Sequence, residues 1–403
     1  MSITAKVFFG KVSVYDMEPS RMYLGRIVSG ELVDEALCVY FKAPRSYTGE
    51  DLVELHCHGG KLLARRVLSA LVDAGAELAD RGEFTKRAFL NGKMKLSDAE
   101  GIIDMINADS EAALRCASRE MTGETARVVG DLQDRLTDVL SAIGGALDYP
   151  EELEESVTED VLPVLREVSS AIDRLIGNGK GLLIKDGVRV AIVGEPNVGK
   201  SSLLNRILGK DRAIVTDIAG TTRDVIEDGI EYRGRKFVFY DTAGIRESDD
   251  PVERIGISRS VSTAEEADVV LVLTDGNQPD PTFGVFSDKP HILVRTKCDL
   301  TETRDADHLC VSSVTGEGVD KLLDEIYSLT EATGEEVTTL RHAEALKSAV
   351  ASLRSAISSY DALPLDVVAV DVKSAWTALG EITGETANED IITRIFDNFC
   401  VGK

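Results

Sequence analysis

Residues 194–201 read Gly-Glu-Pro-Asn-Val-Gly-Lys-Ser, a pattern that can bind the phosphates of a nucleotide. The glycines allow backbone amides to close around phosphate oxygens at a helix N-terminus, Lys200 can neutralise the β- and γ-phosphates, and the Ser201 hydroxyl can ligate magnesium. An apolar run at 188–193 predicts a strand before this loop, and residues 202–208 predict a helix after it. The candidate residues of this phosphate-binding loop are Asn197, Val198, Gly199, Lys200, Ser201 and Ser202.

Three downstream motifs complete the pattern of a guanine-nucleotide site. Asp241 follows a predicted strand, where it can reach the magnesium, and the amide of Gly244 can reach the γ-phosphate. Asp299 follows another strand and can accept hydrogen bonds from N1 and the exocyclic amine of guanine, donors that adenine lacks. The last motif, 312–314, supports the base. The candidate residues are Asp241, Thr242, Ala243, Gly244, Thr296, Lys297, Asp299, Ser312, Ser313 and Val314. The sequence predicts GTP as the substrate.

This GTPase pattern has two departures. Thr296 stands where most GTPases have Asn, and Ser313 where most have Ala, so we expect guanine to bind with reduced affinity. Ile245 occupies the place after Gly244 where a Gln often orients the attacking water. Another group must therefore position that water.

The apolar periodicity indicates how these motifs are held. Residues 1–90 read as mixed α/β, with a strand at 51–58 followed by a helix at 61–74. Short β-rich runs at 188–193, 237–240, 269–273 and 292–295 alternate with helix-length segments, which predicts a doubly wound sheet.

The segments on either side of the β-rich region predict long helices. Apolar residues recur at helical spacing over 97–146, with Ser97 as the expected N-cap and Glu100 completing a capping box. A break at 149–150 precedes a helix expected at 160–176. After residue 334 one apolar stripe is formed by Leu340, Leu346, Val350, Leu353 and Ile357.

Composition narrows the class of protein. A chain of 403 residues suggests two to three domains, and its net charge of −25 argues against a broad electrostatic grip on nucleic acid. Residues 1–25 hold no apolar run long enough for a signal or membrane segment, so we expect a cytoplasmic protein without membrane contact. The 6 cysteines lack a CxxC spacing, which predicts neither disulfides nor a zinc site. His56 and His58 lack a third ligand at suitable spacing and are expected to be hydrogen-bonded residues rather than a metal pair.

Residues 216–224, Thr-Asp-Ile-Ala-Gly-Thr-Thr-Arg-Asp, closely resemble the switch I loop of the MnmE (TrmE) family of tRNA modification GTPases. The resemblance extends to Tyr-Thr-Gly-Glu-Asp at 47–51, His-Gly-Gly at 58–60, the segment 81–93, the switch II-like segment 252–257, and the chain end Phe-Cys-Val-Gly-Lys at 399–403. It therefore covers nearly the whole chain.

The resemblance implies an α/β plus all-α architecture, with a P-loop GTPase domain inserted into a helical domain and preceded by a small α/β tetrahydrofolate-binding domain. The implied ranges are 1–91 for the folate-binding-like domain, 92–187 and 331–403 for the two halves of the helical domain, and 188–330 for the G domain. Family members usually begin with a glycine-rich strand segment that bears a folate-contacting arginine. We expect the first domain to lack that segment.

The resemblance also implies chemistry and partners. It implies a homodimer whose G domains meet across their nucleotides, and an FAD-dependent partner, MnmG, in a heterotetramer that modifies carbon 5 of the wobble uridine in tRNA. The implied source of the one-carbon unit is 5,10-methylene- or 5-formyl-tetrahydrofolate. The resemblance further implies that potassium takes the place of an arginine finger.

Residue roles follow from matching positions in the family. Magnesium positions are Ser201 and Thr222; potassium positions are Asn197, Thr216, Ile218 and Thr221; further nucleotide positions in switch I are Asp217, Ala219 and Gly220; catalytic positions are Arg223, Glu253 and Cys400; folate positions are Glu54, Lys93 and Lys403. Without the resemblance, Glu253 would be a solvent-facing acid, Cys400 a buried small hydrophobe, and the lysines ordinary surface residues.

Two other functions stay open on the sequence alone. One is an RNA-binding ribosome-assembly GTPase, although that class usually carries a basic appendage and the C-terminal part here is acidic to neutral. The other is a folate-dependent transferase whose G domain is only regulatory. Mass spectrometry of wobble uridines distinguishes the first of these from a tRNA-modifying enzyme.

Overall fold

The computed structural model describes residues 1–177, 179–209, 229–241, 266–275, 289–300, 307–331 and 337–400, with no side-chain description for 150–160 and Asp241. Its strands are β1 Phe8–Gly10, β2 Met22–Ser29, β3 Leu32–Phe41, β4 Leu52–His56, β5 Val188–Gly194, β6 Gly229–Tyr232, β7 Arg235–Asp241, β8 Val269–Thr274, β9 His291–Arg295 and β10 Leu309–Cys310. Its α-helices are α1 Thr4–Val7, α2 Lys61–Asp73, α3 Glu83–Leu90, α4 Leu96–Asn107, α5 Glu111–Met121, α6 Glu124–Asp148, α7 Pro150–Ile176, α8 Leu182–Asp186, α9 Lys200–Leu208, α10 Val319–Leu329, α11 Leu340–Ser359, α12 Leu365–Thr383 and α13 Glu389–Asp397.

Contacts divide the chain into two compact units. The first comprises Met1–Ile103, Arg119–Asp131 and Gly380–Lys403, and the second comprises Asp104–Ser118 and Leu132–Leu379. The chain thus enters and leaves the first unit several times.

The first unit contains an antiparallel sheet in the order β1-β2-β3-β4. Val53 and Leu55 of β4 pack against a core that includes Ile27 and Val67, whereas Glu54 and His56 are exposed. The alternation read from the sequence is therefore confirmed, because successive strand residues point to opposite faces.

Aromatic side chains hold the C-terminal end of the first unit. Phe396 and Phe399 lie 5.3 Å apart between ring centroids and pack with Leu96. Gly82 has a φ of 63°, and a Cβ there would approach Phe396 and Phe399 to 3.0 Å. The segments 81–93 and 396–399 therefore depend on a residue without a side chain at their contact.

The predicted N-cap at Ser97 is wrong. Helix α4 begins at Leu96, and Ser97 is fully buried within its first turn. The backbone amide of Lys95 donates to the Asp98 carboxylate at 2.9 Å. Asp98 therefore has the capping-box role that the sequence pattern assigned to Glu100.

The predicted start of the next long helix also differs. Helix α7 begins at Pro150, ten residues before the expected residue 160. Proline suits the first helical position because its missing N–H would have no partner there, and the acidic residues that follow favour the positive end of the helix dipole. The predicted break at 149–150 is present, since one helix ends at Asp148 and α7 begins at Pro150.

The second unit contains a six-stranded sheet in the order β10-β9-β8-β5-β7-β6. Its pairings are parallel except for β6 with β7. Apolar residues of α9 and α10, including Leu203 and Leu322, pack against β5 and β8 in one buried cluster. This sheet confirms the alternation of strands and helices predicted from residue 188 onward.

Helices α7 and α11 belong to the second unit, together with most of α6 and α12. Leu346, Val350 and Leu353 of α11 are buried as predicted. Leu340 is 59% exposed, because it is the first residue of the helix and lies beyond the packed stripe. None of the helices in the described ranges is long and apolar enough to cross a membrane.

Candidate nucleotide-binding site

Strand β5 leads directly into the phosphate-binding loop at Gly194. This residue has a φ of 159°, and a Cβ there would lie 2.6 Å from the carbonyl oxygen of Leu273 on β8. Real side chains do not tolerate such a contact with backbone, so the exit from the strand requires glycine.

The loop ends at the N-terminus of α9. Gly199, with a φ of 102°, precedes the helix, and Val198 is buried in the core of the sheet. Asn197 has a φ of 67° and is exposed, as are Ser201 and Ser202 in the first helical turn. The helix N-terminus therefore offers backbone amides and two hydroxyls to an anion.

The ammonium group of Lys200 lies inside the curve of this loop. It donates to the carbonyl oxygens of Gly194 at 2.8 Å and Glu195 at 2.9 Å, and the residue is only 8% exposed. The lysine charge is therefore concentrated within the loop, where it favours the binding of phosphate.

Thr296 links the phosphate-binding loop to the base motif. Its buried hydroxyl donates to the Val198 carbonyl and lies 3.3 Å from the Thr274 carbonyl. The sequence alone indicates Thr296 only as a replacement for Asn in guanine binding. The signal for this second role was its position at the end of a buried strand, where a polar side chain needs a partner.

Lys297 makes a second link between the two motifs. It has a φ of 58°, and its ammonium group donates to the Asn197 carbonyl at 2.8 Å and to the Asp275 carboxylate at 3.2 Å. Hydrogen bonds therefore join the base motif to the phosphate-binding loop.

The base-supporting motif orients Asp299. The buried Ser312 hydroxyl donates to one carboxylate oxygen of Asp299 at 2.6 Å and accepts from the Thr315 amide at 3.1 Å. Ser313 is half-buried, and Val314 is 79% exposed. Asp299 is itself exposed, so its second oxygen can accept hydrogen bonds from a base. Thr315 was missed by sequence reasoning.

Strand β7 brings Asp241 beside the strand that leads into the loop. Its Cα pairs with that of Ile192 on β5, two residues before Gly194. Thirteen predicted site residues lie outside the described part of the chain: Thr216, Asp217, Ile218, Ala219, Gly220, Thr221, Thr222, Arg223, Thr242, Ala243, Gly244, Glu253 and Lys403.

The family-like motifs of the first unit contact each other. The hydroxyls of Tyr47 and Thr85 lie 2.9 Å apart, and the Asn91 amide donates to the Thr48 carbonyl at 2.8 Å. The ammonium group of Lys93 donates to the Pro44 carbonyl at 3.0 Å. Segments 47–51 and 81–93, which are distant in sequence, therefore form one surface.

The remaining candidates of the first unit have separate surroundings. The Glu54 carboxylate lies 3.3 Å from Nε2 of His56 on the exposed face of β4. Cys400 is exposed rather than buried, and its carbonyl accepts from the Gly82 amide at 3.3 Å. Nδ1 of His58 lies 2.7 Å from the Asp34 carboxylate. Among the described residues, no group of three or more His, Cys, Asp or Glu could hold a metal ion.

Asp51 is a structural carboxylate in this unit. It accepts from the backbone amide of Ala43 at 2.9 Å and from the hydroxyl of Tyr40. These hydrogen bonds, the amide first, hold the pKa of Asp51 below its usual value.

Comparison with known proteins accounts for almost the whole chain. Residues 1–93 match the model of the GTP-binding protein TrmE N-terminus, and residues 96–400 match the model of the MnmE helical domain. The tRNA modification GTPase MnmE of Thermus thermophilus is 43% identical over 100% of this chain and 93% of that protein. The chain belongs to the MnmE family of tRNA modification GTPases.

A further relative agrees with this family assignment. The MnmE of Thermotoga maritima is 41% identical over 93% of this chain and 88% of that protein. Among solved structures, a point variant of Aquifex aeolicus Era bound to GDP and AlF4⁻ is 28% identical, with a TM-score of 0.29 over 41% of this chain and 66% of that chain, which is a partial match only. As a family member, the chain is a GTP hydrolase that acts in tRNA modification, and its fold is the predicted combination of an α/β N-terminal domain, a helical domain and a P-loop GTPase domain.

Proposed function

We propose that the protein is a potassium-activated GTPase that, with the FAD-dependent partner MnmG, modifies carbon 5 of the wobble uridine of tRNA with a one-carbon unit from tetrahydrofolate. The observation that carries the nucleotide part is the joined pair of loops, in which Thr296 and Lys297 fasten the base motif to the phosphate-binding loop. A site built this way couples recognition of guanine to the geometry around the phosphates.

The described residues of the GTP site have complementary roles in this proposal. Lys200 neutralises phosphate charge, the amides at the start of α9 bind phosphate oxygens, and Asp299 reads the guanine base. The nucleotide-contacting set is Asn197, Val198, Gly199, Lys200, Ser201, Ser202, Asp241, Thr296, Lys297, Asp299, Ser312, Ser313 and Val314, together with 216–222 and 242–244.

Two cations fit the donor groups of this site. The Ser201 hydroxyl is exposed in the first turn of α9, where it and Thr222 would hold magnesium, which supplies positive charge to the β- and γ-phosphates. The exposed side chain of Asn197 offers an amide oxygen, and with Thr216, Ile218 and Thr221 it would hold potassium. Neutral oxygen donors suit a large monovalent ion. Arg223 and Glu253 are the proposed catalytic residues of the G domain.

The tetrahydrofolate site is proposed for the first unit. Lys93 and Lys403 carry the positive charge that the anionic tail of a folate requires, and the half-exposed carboxylate of Glu54 can accept hydrogen bonds from the N–H groups of its ring. Lys93 is already held by the Pro44 carbonyl, so its ammonium group is oriented. Cys400 is proposed to take part in the modification step.

The proposed assembly is a cytoplasmic homodimer that joins MnmG in a heterotetramer and acts on tRNA. Within each chain we propose a folate-binding domain at 1–91, a helical domain at 92–187 and 331–403, and a G domain at 188–330. GTP hydrolysis in the G domains would open and close the dimer and so rearrange the folate and tRNA sites.

The decisive experiment is mass spectrometry of wobble uridines in tRNA from a strain that lacks this gene. We expect the modified nucleoside to disappear and to return when the wild-type chain is supplied, but not when the Lys200→Ala variant is supplied. Normal wobble uridines together with an accumulation of ribosome-assembly intermediates would contradict the proposal and support a ribosome-assembly GTPase.

Potassium dependence is tested separately. We expect steady-state GTP hydrolysis to be much faster in potassium chloride than in matched sodium chloride, and Glu253→Ala to block turnover while nucleotide still binds. An effect of the size of an arginine finger would be about 10³-fold or more. Equal rates in the two salts rule out the cation mechanism, and a fully active Glu253→Ala protein rules out a catalytic role for this glutamate.

A further inference from the structure

Two cysteines adjoin the residues that are proposed to bind guanine. Cys298 belongs to the base motif and immediately precedes Asp299, and Cys310 ends β10, two residues before Ser312. Their thiols share a hydrogen bond. Neither residue has a part in the GTPase mechanism proposed above.

The backbone independently places these two residues side by side. The Cys298 amide donates to the carbonyl of Val311, the residue after Cys310, at 3.3 Å. The Cys298 thiol lies 3.2 Å from the carbonyl of Arg295, and Arg295 is the residue with which Cys310 is paired in the parallel ladder. Both side chains are half-buried, so small reagents can reach them. A disulfide requires such neighbouring backbones.

We propose that Cys298 and Cys310 form a redox-responsive dithiol, and that its oxidation to a disulfide by a small thiol-oxidising reagent weakens GTP binding. With diamide as the oxidant, the two thiols lose two hydrogens and two electrons, a sulfur–sulfur bond forms, and the azo bond of diamide is reduced to a hydrazine. This inference rests on the proposed guanine-binding role of Asp299 for its effect, but not for the bond itself.

The chemical surroundings slow the oxidation of the reduced pair. Burial, and then the hydrogen bond to Cys310, raises the pKa of the Cys298 thiol to about 11. The thiolate is the reactive form of cysteine, so Cys298 resists oxidation at neutral pH unless an oxidant is present in excess.

The bond would disturb base recognition because of its position. Disulfide sulfurs lie about 2 Å apart, well inside the contact distance of two thiols, so we expect the bond to draw the two side chains together and to displace the residues that follow them. Asp299 follows Cys298 directly, and its carboxylate is held by Ser312 at 2.6 Å. Loss of one hydrogen bond to a charged group reduces affinity by about tenfold or more. We expect a fall of that size in GTP affinity.

The test treats the full-length protein with diamide and measures two quantities. Peptide mapping under non-reducing conditions should find a cross-link between 298 and 310, lighter than the separate thiol peptides by two hydrogen atoms. Binding of a fluorescent GTP analogue should weaken about tenfold and recover after dithiothreitol. Cys298→Ser and Cys310→Ser should each abolish both changes, whereas Cys116→Ser, a half-buried cysteine elsewhere, should retain them.

Three outcomes would overturn the proposal: no 298–310 cross-link, a cross-link with unchanged GTP affinity, or an unchanged response in both serine variants. Two variants are used so that misfolding of one leaves the test intact. If the untreated protein does not bind GTP at all, the proposed nucleotide site is wrong, whereas the peptide map still reports on the dithiol.

Discussion

The hydrogen bond from Thr296 to Val198, which joins the two nucleotide loops, allows a quantitative prediction for Thr296→Val. Valine keeps the shape of threonine but removes the hydroxyl that donates to the buried Val198 carbonyl. Leaving a buried acceptor without its donor costs about 1–3 kcal/mol. Because Val198 lies within the phosphate-binding loop, we expect much of this cost to appear as weaker GTP binding, by about tenfold for each 1.4 kcal/mol.

Two variants serve as controls for this prediction. Thr296→Asn restores a side-chain donor and the residue that most GTPases have, so GTP affinity should equal or exceed that of the wild type. Thr383→Val removes another buried threonine hydroxyl, which donates to the Gly380 carbonyl at 3.2 Å in the first unit. It should lower the free energy of unfolding without changing GTP affinity.

The assay combines titration of a fluorescent GTP analogue with urea unfolding of the same samples. The reasoning would be refuted if Thr296→Val lost stability to the same extent as Thr383→Val while binding GTP as tightly as the wild type. That result would mean that Thr296 only supports the core and does not set the geometry of the loop.

Three further predictions concern single residues. Lys200→Ala should abolish nucleotide binding, because it removes the ammonium charge that lies within the phosphate-binding loop, and it should leave the far-ultraviolet circular dichroism spectrum unchanged. Wild-type GTP affinity in this variant would contradict the phosphate-loop assignment. Asp299→Asn should change the preference from GTP to xanthosine triphosphate, because an amide replaces an acceptor with a donor, and a retained guanine preference in competition binding would show that another residue reads the base. Asp51 has a pKa held below that of the unfolded chain by the Ala43 amide and the Tyr40 hydroxyl, so its stabilisation is present above the unfolded pKa of about 3.9 and is lost as the pH falls through the folded pKa. Acid unfolding curves of Asp51→Asn should therefore lack part of that dependence; curves parallel to those of the wild type would contradict it.

The sequence by itself determined the order and type of the elements around the nucleotide. Strands β5, β7, β8 and β9 appear where apolar runs predicted them, because a strand buried on both faces must be apolar along its length. The glycines and the lysine of 194–201 form a combination that a phosphate-binding loop requires and few other structures do. Local sequence patterns sufficed here because each motif directly follows its own strand.

Helix boundaries in the rest of the chain were less well determined. Ser97 satisfied the local pattern of an N-cap, but Asp98 makes the capping bond, and Pro150 starts a helix where the sequence suggested an interruption. Each of these sequences is compatible with more than one local structure. Packing of the apolar face selects among them, and it depends on residues that are distant in sequence.

Only the tertiary structure decided which loops support one another. The bonds from Thr296 to Val198 and from Lys297 to Asn197 join residues far apart in the chain, and the contact of Cys298 with Cys310 depends on the register of β10 against β9. No periodicity in a sequence encodes such a contact, because it arises when separate strands reach the same edge of a sheet. Residue types therefore indicated the chemistry of this GTPase, and the parallel sheet determined the distances between the side chains of its nucleotide loops.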